Sequence, residues 1–175
     1  MSWVSCGSED NMTEKEKWFE LGYADEIKCV EQRRDPMFRR PRHIKKSELN
    51  CFYDCVKLAW LESDWNWYNY WPLSKLNGFE ELRTPEEAKF DIRIGKCIEF
   101  LFALQHKDEI DTMPTIYSLE HNEFYDMIFK NGDKYEVKTS KAQAEAYKEK
   151  HQDVVVAYPV DSRNFNVDSE FIILR

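Results

Sequence analysis

Residues 125–140 read YDMIFKNGDKYEVKTS and have the pattern of a β-hairpin. Apolar and polar side chains alternate on both sides of a turn at 130–132, as they do in paired strands. A three-residue loop would place Asp126 opposite Glu136, with Gly132 in the left-handed conformation that glycine adopts without strain. A two-residue turn would instead point Asp126 away from Glu136. The three-residue register is the one that brings two carboxylates together.

That register predicts a cluster of charged groups on one face of the hairpin. Glu136 and Lys138 are two positions apart in a strand, so they project from the same side as Asp126. Two adjacent carboxylates repel each other unless a cation lies between them, and carboxylate oxygens are the ligands that Mg²⁺ and Mn²⁺ prefer. The alternative interpretation is an ordinary surface salt bridge between Glu136 and Lys138.

The elements around the hairpin predict an α/β fold with a mixed sheet. Thr84-Pro85-Glu86-Glu87 is typical of a helix start, with a capping threonine and proline at the first helical position. The apolar run at 154–160 indicates a strand buried on both faces. The helix at 142–151 would be the crossover connection that leads into this strand. The expected helices are 85–105 and 142–151, and the expected strands are 115–120, 124–129, 134–139, 154–160 and 171–174.

The helix at 85–105 offers a third carboxylate. Asp91, Gly95 and Glu99 share a stripe beside its apolar face. A glycine inside a helix lowers helix stability by about 1 kcal/mol relative to alanine. Because it has no side chain, it is useful where the helix must approach a sheet closely. Glu99 would then face the hairpin as a further metal ligand. The alternative is a solvent-facing glutamate on an amphipathic helix.

The N-terminal part, 1–84, is interpreted as a helical, aromatic-rich extension of a core at 85–175. A helix is expected at 47–63, with Ser47 as its cap, and the aromatic run at 64–72 is interpreted as core packing. The segment 33–46 carries seven cations and one acid and contains two prolines, so we expect an extended arm or loop. The arm is either a solvated linker or a contact for phosphates, through Arg33, Arg34, Arg39, Arg40, Arg42, Lys45 and Lys46.

Net charge limits where an anionic partner could bind. The 175 residues hold 25 Lys and Arg against 33 Asp and Glu, a net charge of −8. The arm at 33–46 carries +6, so the remainder carries −14. A protein that coats nucleic acid nonspecifically is therefore not expected, although DNA could approach along the arm.

The other sequence features favour a cytoplasmic protein without an organic cofactor. The five cysteines lack a zinc-ligand spacing and are expected to be free buried thiols in a reducing compartment. No apolar segment is long enough for a signal peptide or a membrane span. Nucleotide-binding glycine motifs and a nucleophilic serine motif are also lacking.

The combination of Gly95-x-x-x-Glu99, Asp126-x9-Glu136-Val137-Lys138 and a following helix resembles the PD-(D/E)xK nuclease superfamily. The resemblance covers about 85–175 and implies a restriction-endonuclease-like core with the order αβββαβ. Tyr125 stands where the family name has proline, a position that varies widely. The resemblance implies that Asp126, Glu136 and the Val137 carbonyl hold Mg²⁺ or Mn²⁺, that Lys138 orients the attacking water, and that Glu99 supports a second metal or its water shell.

The same resemblance implies a DNA endonuclease or resolvase, often a homodimer and often of phage or mobile-element origin. Gln143, in the helix after the lysine, becomes a secondary candidate for a phosphate contact. Two alternatives stay open. One is an inactive nuclease-fold protein that regulates or binds a partner, which the surplus of acidic residues favours. The other is a single-strand binding surface formed by the aromatic N-terminal half.

Overall fold

The computed structural model describes residues 40–76, 84–118 and 125–175, and these form an α/β arrangement of helices and a mixed sheet. The helices within these ranges are α1 (Phe52–Leu76), α2 (Pro85–Gln105) and α3 (Lys141–Lys150). Short 3₁₀ turns occupy Lys46–Glu48 and Lys107–Glu109. The strands are β1 (Arg42–His43), β2 (Ile110–Thr112), β3 (Thr115–Ile116), β4 (Met127–Phe129), β5 (Lys134–Val137), β6 (Val155–Pro159) and β7 (Phe171–Leu174).

Five of these strands form one sheet in the order β2-β4-β5-β6-β7. Strands β5 and β6 are parallel and are joined through α3, while the other neighbours in this sheet are antiparallel. The expected mixed α/β sheet with one crossover is therefore confirmed. Strands β1 and β3 pair with each other in a separate two-stranded sheet.

The sheet lies between two unequal layers. Helices α1 and α2 pack together and cover one face, where Phe102, Phe129 and Tyr135 belong to the main hydrophobic cluster. Helix α3 covers the other face with a smaller cluster that includes Ala144 and Val156. Because alternate residues of β6 enter the two clusters, all five of its residues are buried. This confirms the prediction from its continuous apolar sequence.

The hairpin has the three-residue register. Met127 pairs with Tyr135 and Ile128 with Lys134, and continuing that register places Asp126 opposite Glu136. Gly132 has φ +91°, the left-handed conformation that a loop of this length requires.

The helix boundaries follow local capping chemistry where the sequence carries a cap. Thr84 Oγ1 accepts a hydrogen bond from the Glu87 backbone N–H at 3.2 Å, and α2 covers the expected range. Ser140 Oγ accepts from Gln143 N at 3.3 Å, so α3 begins at Lys141, one residue earlier than expected. These side chains satisfy backbone donors that have no partner inside the helix.

The prediction of a helix at 47–63 capped by Ser47 is wrong at both ends. A 3₁₀ turn at Lys46–Glu48 ends as Leu49 enters the core, and the helix starts again at Phe52. The helix continues through the aromatic run to Leu76, and Trp65 packs into the same apolar cluster as the residues before it. The core interpretation of this run is confirmed for Trp65; parts of the run lie outside the described side chains.

The expected strand at 115–120 differs most from the structure. Of its described residues, 115–118, Thr115–Ile116 forms a strand, and it pairs with Arg42–His43 rather than joining the main sheet. Its expected place is taken by Ile110–Thr112, whose fully buried Ile110 follows directly on the turn after α2. The expected turn at 121–122 lies outside the described residues.

The cysteine prediction is partly wrong. Cys55 and Cys97 are free and buried, as expected, whereas Cys51 is disulfide-bonded. None of the described helices combines the length and the hydropathy needed to cross a membrane.

Candidate active site

Three structural elements bring the predicted carboxylates together at one end of the hairpin. Glu99 comes from α2 and is 7% exposed, Asp126 immediately precedes β4, and Glu136 lies in β5. The hairpin register brings Asp126 and Glu136 together, while the packing of α2 against the sheet contributes Glu99. The interpretation of Glu99 as a solvent-facing residue is therefore wrong.

Asp126 is held by backbone groups of the neighbouring strand. Its own N–H donates to Tyr135 O at 2.7 Å, and its Oδ2 accepts from Val137 N at 2.8 Å. These bonds fasten the residue on both sides of Glu136. The position of the carboxylate therefore depends on the hairpin backbone rather than on a flexible side chain alone.

Burial and mutual repulsion perturb the two glutamates. Burial raises the pKa of Glu99 well above its usual range, and the nearby Asp126 carboxylate raises it further. Burial and the same aspartate raise the pKa of Glu136 to about 7. Each of these carboxyl groups therefore keeps its proton to a higher pH than an exposed glutamate does, although an ammonium group lies beside it.

Lys138 lies on the same side of the hairpin as Glu136, as expected. Its Nζ is 3.4 Å from Glu136 Oε1 and 4.4 Å from the ring centroid of Tyr147 in α3. Burial and the neighbouring carboxylates raise the pKa of Tyr147, which keeps its hydroxyl protonated. The aromatic ring limits where the ammonium group can move.

Two further residues, Lys96 and Glu62, belong to this cluster and were not anticipated. Lys96 Nζ lies 3.5 Å from Glu99 Oε2. Burial alone would lower the pKa of Lys96, but the carboxylates of Glu99, Glu62 and Asp126 raise it. Glu62 is 1% exposed and accepts a hydrogen bond from Tyr117 N. The i, i+3 spacing of Lys96 and Glu99 in a predicted helix could have indicated their ion pair from the sequence. Glu62 lies near them only because α1 packs against α2.

The cluster has the donor chemistry of a divalent-cation site. Four carboxylates face two ammonium groups, an excess of two negative charges when all are ionised. Among the described residues, no group of three or more His, Cys, Asp and Glu side chains has the geometry to hold a metal ion. Glu99, Asp126 and Glu136 nevertheless have the oxygen ligands that a divalent cation prefers, and burial together with repulsion from Asp126 raises the pKa of both glutamates.

Gln143 and Gly95 flank the cluster. Gln143 Oε1 accepts a hydrogen bond from Thr139 Oγ1 at 2.7 Å, on the exposed first turn of α3. A Cβ at Gly95 would lie 3.9 Å from Thr139 Cγ2, which is ordinary van der Waals contact. A methyl group therefore fits there, and the packing of α2 against the sheet does not require a glycine at this position.

The basic arm can be located only in part. Arg33, Arg34 and Arg39 lie outside the described residues. Arg40 and Lys45 are exposed, and Lys46 opens the 3₁₀ turn. The guanidinium of Arg42 donates hydrogen bonds to both carboxylate oxygens of Glu48, at 2.6 and 2.8 Å. These hydrogen bonds raise the pKa of Arg42.

The described part of the arm has the extended character expected of it. Arg42–His43 forms β1, and His43 Nδ1 lies 2.8 Å from Met113 O.

Comparisons with protein-family models, with curated proteins and with solved structures found no match for this chain.

Proposed function

We propose that the protein is a metal-dependent nuclease that hydrolyses phosphodiester bonds of DNA, as an endonuclease or resolvase. The observation that carries the proposal is the cluster of Glu99, Asp126 and Glu136 with Lys138 beside it. The residue types, their electrostatic interactions and the hairpin register all favour a metal-binding site at this cluster. The resemblance to the PD-(D/E)xK superfamily rests on the same residues.

The order of elements adds support for a restriction-endonuclease-like core. Helix α2, strands β2, β4 and β5, helix α3 and strand β6 follow one another as αβββαβ, with β3 outside the main sheet. In this arrangement the carboxylates come from the start of the hairpin, from β5 and from helix α2. A small protein can position several charged groups rigidly when they project from such regular elements.

The chemistry follows from the residues present. Glu99, Asp126, Glu136 and the Val137 carbonyl would hold Mg²⁺ or Mn²⁺, which supplies an activated water and neutralises phosphate charge. Lys138 adds a positive charge next to the attacking water and the phosphate without occupying a ligand position. Gln143 and the exposed cations of the arm, Arg40 and Lys45, would contact phosphates and orient the duplex.

The direct test is cleavage of DNA by the purified protein. Linear, nicked, branched and single-stranded DNA are incubated with Mg²⁺ or Mn²⁺, and with EDTA as the metal-free control. We expect metal-dependent cleavage that Lys138→Ala and Asp126→Asn each reduce at least a hundredfold. Lys130→Ala and Asp108→Asn change exposed residues of the same types away from the cluster and should cleave at the wild-type rate.

Cleavage of none of these substrates by the folded wild-type protein would contradict the proposal. It would favour the second candidate, an inactive nuclease-fold protein that binds a basic partner. That candidate is favoured by the charge of −14 outside the segment 33–46. Wild-type cleavage that survives Asp126→Asn would contradict the assignment of the active site.

A further inference from the structure

Lys96 is a positive charge among carboxylates that a divalent cation would also bind. Its Nζ lies 3.5 Å from Glu99 Oε2, and both residues face inward from the same helix. The side chain of Lys96 is 26% exposed, and that of Glu99 is 9% exposed. The pair is therefore partly shielded from solvent, where a charge interaction is stronger than on the surface.

Lys96 also interacts with a carboxylate on the other helix of this layer. Glu62 in α1 is buried and is fixed in place by the N–H of Tyr117. Both Glu62 and Glu99 act electrostatically on Lys96, as does Asp126. The charge of this ammonium group is thus influenced by carboxylates of α1, of α2 and of the residue before β4.

We propose that Lys96 is an internal counter-ion of the candidate metal ligands, which stabilises the metal-free protein and weakens its affinity for a divalent cation. This inference rests on the proposed function, because it takes Glu99 and Asp126 as ligands. An ammonium group and a divalent cation seek the same carboxylate oxygens, so each reduces the binding of the other. Lys138 differs, since its contacts are with Glu136 and the ring of Tyr147 in α3 rather than with Glu99.

The experiment measures metal binding directly. Protein freed of metal with EDTA is titrated with Mn²⁺ alone by calorimetry at pH 8.5, where protons compete least for the carboxylates. We expect Lys96→Met to bind Mn²⁺ on the order of tenfold more tightly than the wild type, because a repelling positive charge has been removed. Lys96→Arg keeps the charge and should bind within about threefold of the wild type.

Thermal unfolding gives a second readout that does not depend on activity. Metal-free Lys96→Met should melt below the wild type, and saturating Mn²⁺ should raise its melting temperature more than that of the wild type. Lys141→Met removes a lysine from an exposed pair with Glu145, 3.8 Å apart, and is the matched control. It should change neither quantity.

Equal or weaker Mn²⁺ binding by Lys96→Met, or no binding by either protein, overturns the inference. If Lys96→Met fails to fold, Glu62→Gln tests the same idea from the other side. It leaves Lys96 with fewer acidic partners besides the metal ligands, so Mn²⁺ should bind several-fold more weakly; unchanged binding overturns the inference. Metal-dependent cleavage by the wild type in the same preparation shows that the proposed function stands even if this inference fails.

Discussion

The backbone N–H of Val137 donates a hydrogen bond to the carboxylate of Asp126, with 2.8 Å between nitrogen and Oδ2. This bond connects the residue before β4 to the end of β5, across the position of Glu136. A carboxylate fixed in this way contributes to the structure of the hairpin as well as to any chemistry performed there. Substitutions of Asp126 must therefore be chosen so that the two roles can be separated.

Asp126→Asn should separate them. The amide oxygen can still accept the bond from Val137, while the negative charge that raises the pKa of Glu99 and Glu136 is lost. We expect cleavage to be lost and the melting temperature of the metal-free protein to stay the same or rise. Asp126→Ala removes the acceptor as well and should cost about 1–3 kcal/mol of unfolding free energy. Equal destabilisation by both substitutions, measured by urea unfolding, would contradict this account.

The raised pKa of Glu136 predicts how stability depends on pH. Between its ordinary value of 4.5 and about 7, the folded metal-free protein holds a proton that the unfolded chain has released. The stability associated with this group is therefore present below pH 4.5 and is lost as the pH rises through about 7. Glu136→Gln should become more stable relative to the wild type over this range, by up to about 3 kcal/mol.

Urea unfolding from pH 4.5 to 8 in EDTA measures that difference. Added Mn²⁺ should reduce it at the upper end, because the cation compensates the wild-type carboxylate. A constant difference between Glu136→Gln and the wild type at all pH values would show that the pKa of Glu136 is not raised in the folded protein.

The ring of Tyr147 should act on the reaction through Lys138. Their cation–π contact, 4.4 Å from Nζ to the ring centroid, is worth about 0.5–2 kcal/mol. Tyr147→Leu should therefore lower kcat for cleavage by about twofold to thirtyfold, with little change in KM. Tyr147→Phe keeps the ring and should restore most of the rate. A loss as large in Tyr147→Phe would instead point to the hydroxyl group.

The two glycines should respond oppositely to alanine. Gly95→Ala should stabilise the protein by about 0.5–1 kcal/mol, because the methyl group meets only Thr139 at an ordinary distance and the helix gains propensity. Gly132→Ala should destabilise the protein by about 1–2 kcal/mol, because φ at this position is +91°, a conformation that alanine rarely adopts. An added methyl group would meet no neighbouring atom within 4 Å, so the backbone conformation is the only cost. Thermal unfolding checks both; destabilisation by Gly95→Ala would mean that α2 is packed more tightly against the sheet.

Cations of the arm should differ in their contribution to DNA binding. Lys45→Ala should lower the dependence of log affinity on log salt concentration by about 1, as expected for one lost phosphate contact. Arg42→Ala should change it less, because the guanidinium is bound to Glu48. Fluorescence anisotropy with a labelled duplex at several salt concentrations measures both. Equal slopes for Lys45→Ala and the wild type would contradict a role of this part of the arm in phosphate binding.

Local sequence chemistry determined much of the hairpin and the helix starts. The turn at Lys130-Asn131-Gly132 sets the register that pairs Asp126 with Glu136. Thr84 and Ser140 each cap a helix by accepting the backbone N–H of its third residue. These features depend on residues within a few positions of one another. A single sequence is therefore enough to predict them.

Only the tertiary structure decided which residues join the cluster and how strongly they interact. Glu62 is 37 positions from Glu99 and influences the charge of Lys96 because α1 packs on α2. Tyr147 contacts Lys138 because α3 packs over the sheet. The central sheet likewise takes Ile110–Thr112 in place of the expected strand at 115–120, since burial of Ile110 outweighs the local β pattern. Packing between distant segments sets both burial and charge balance, and neither can be read from spacing along the chain.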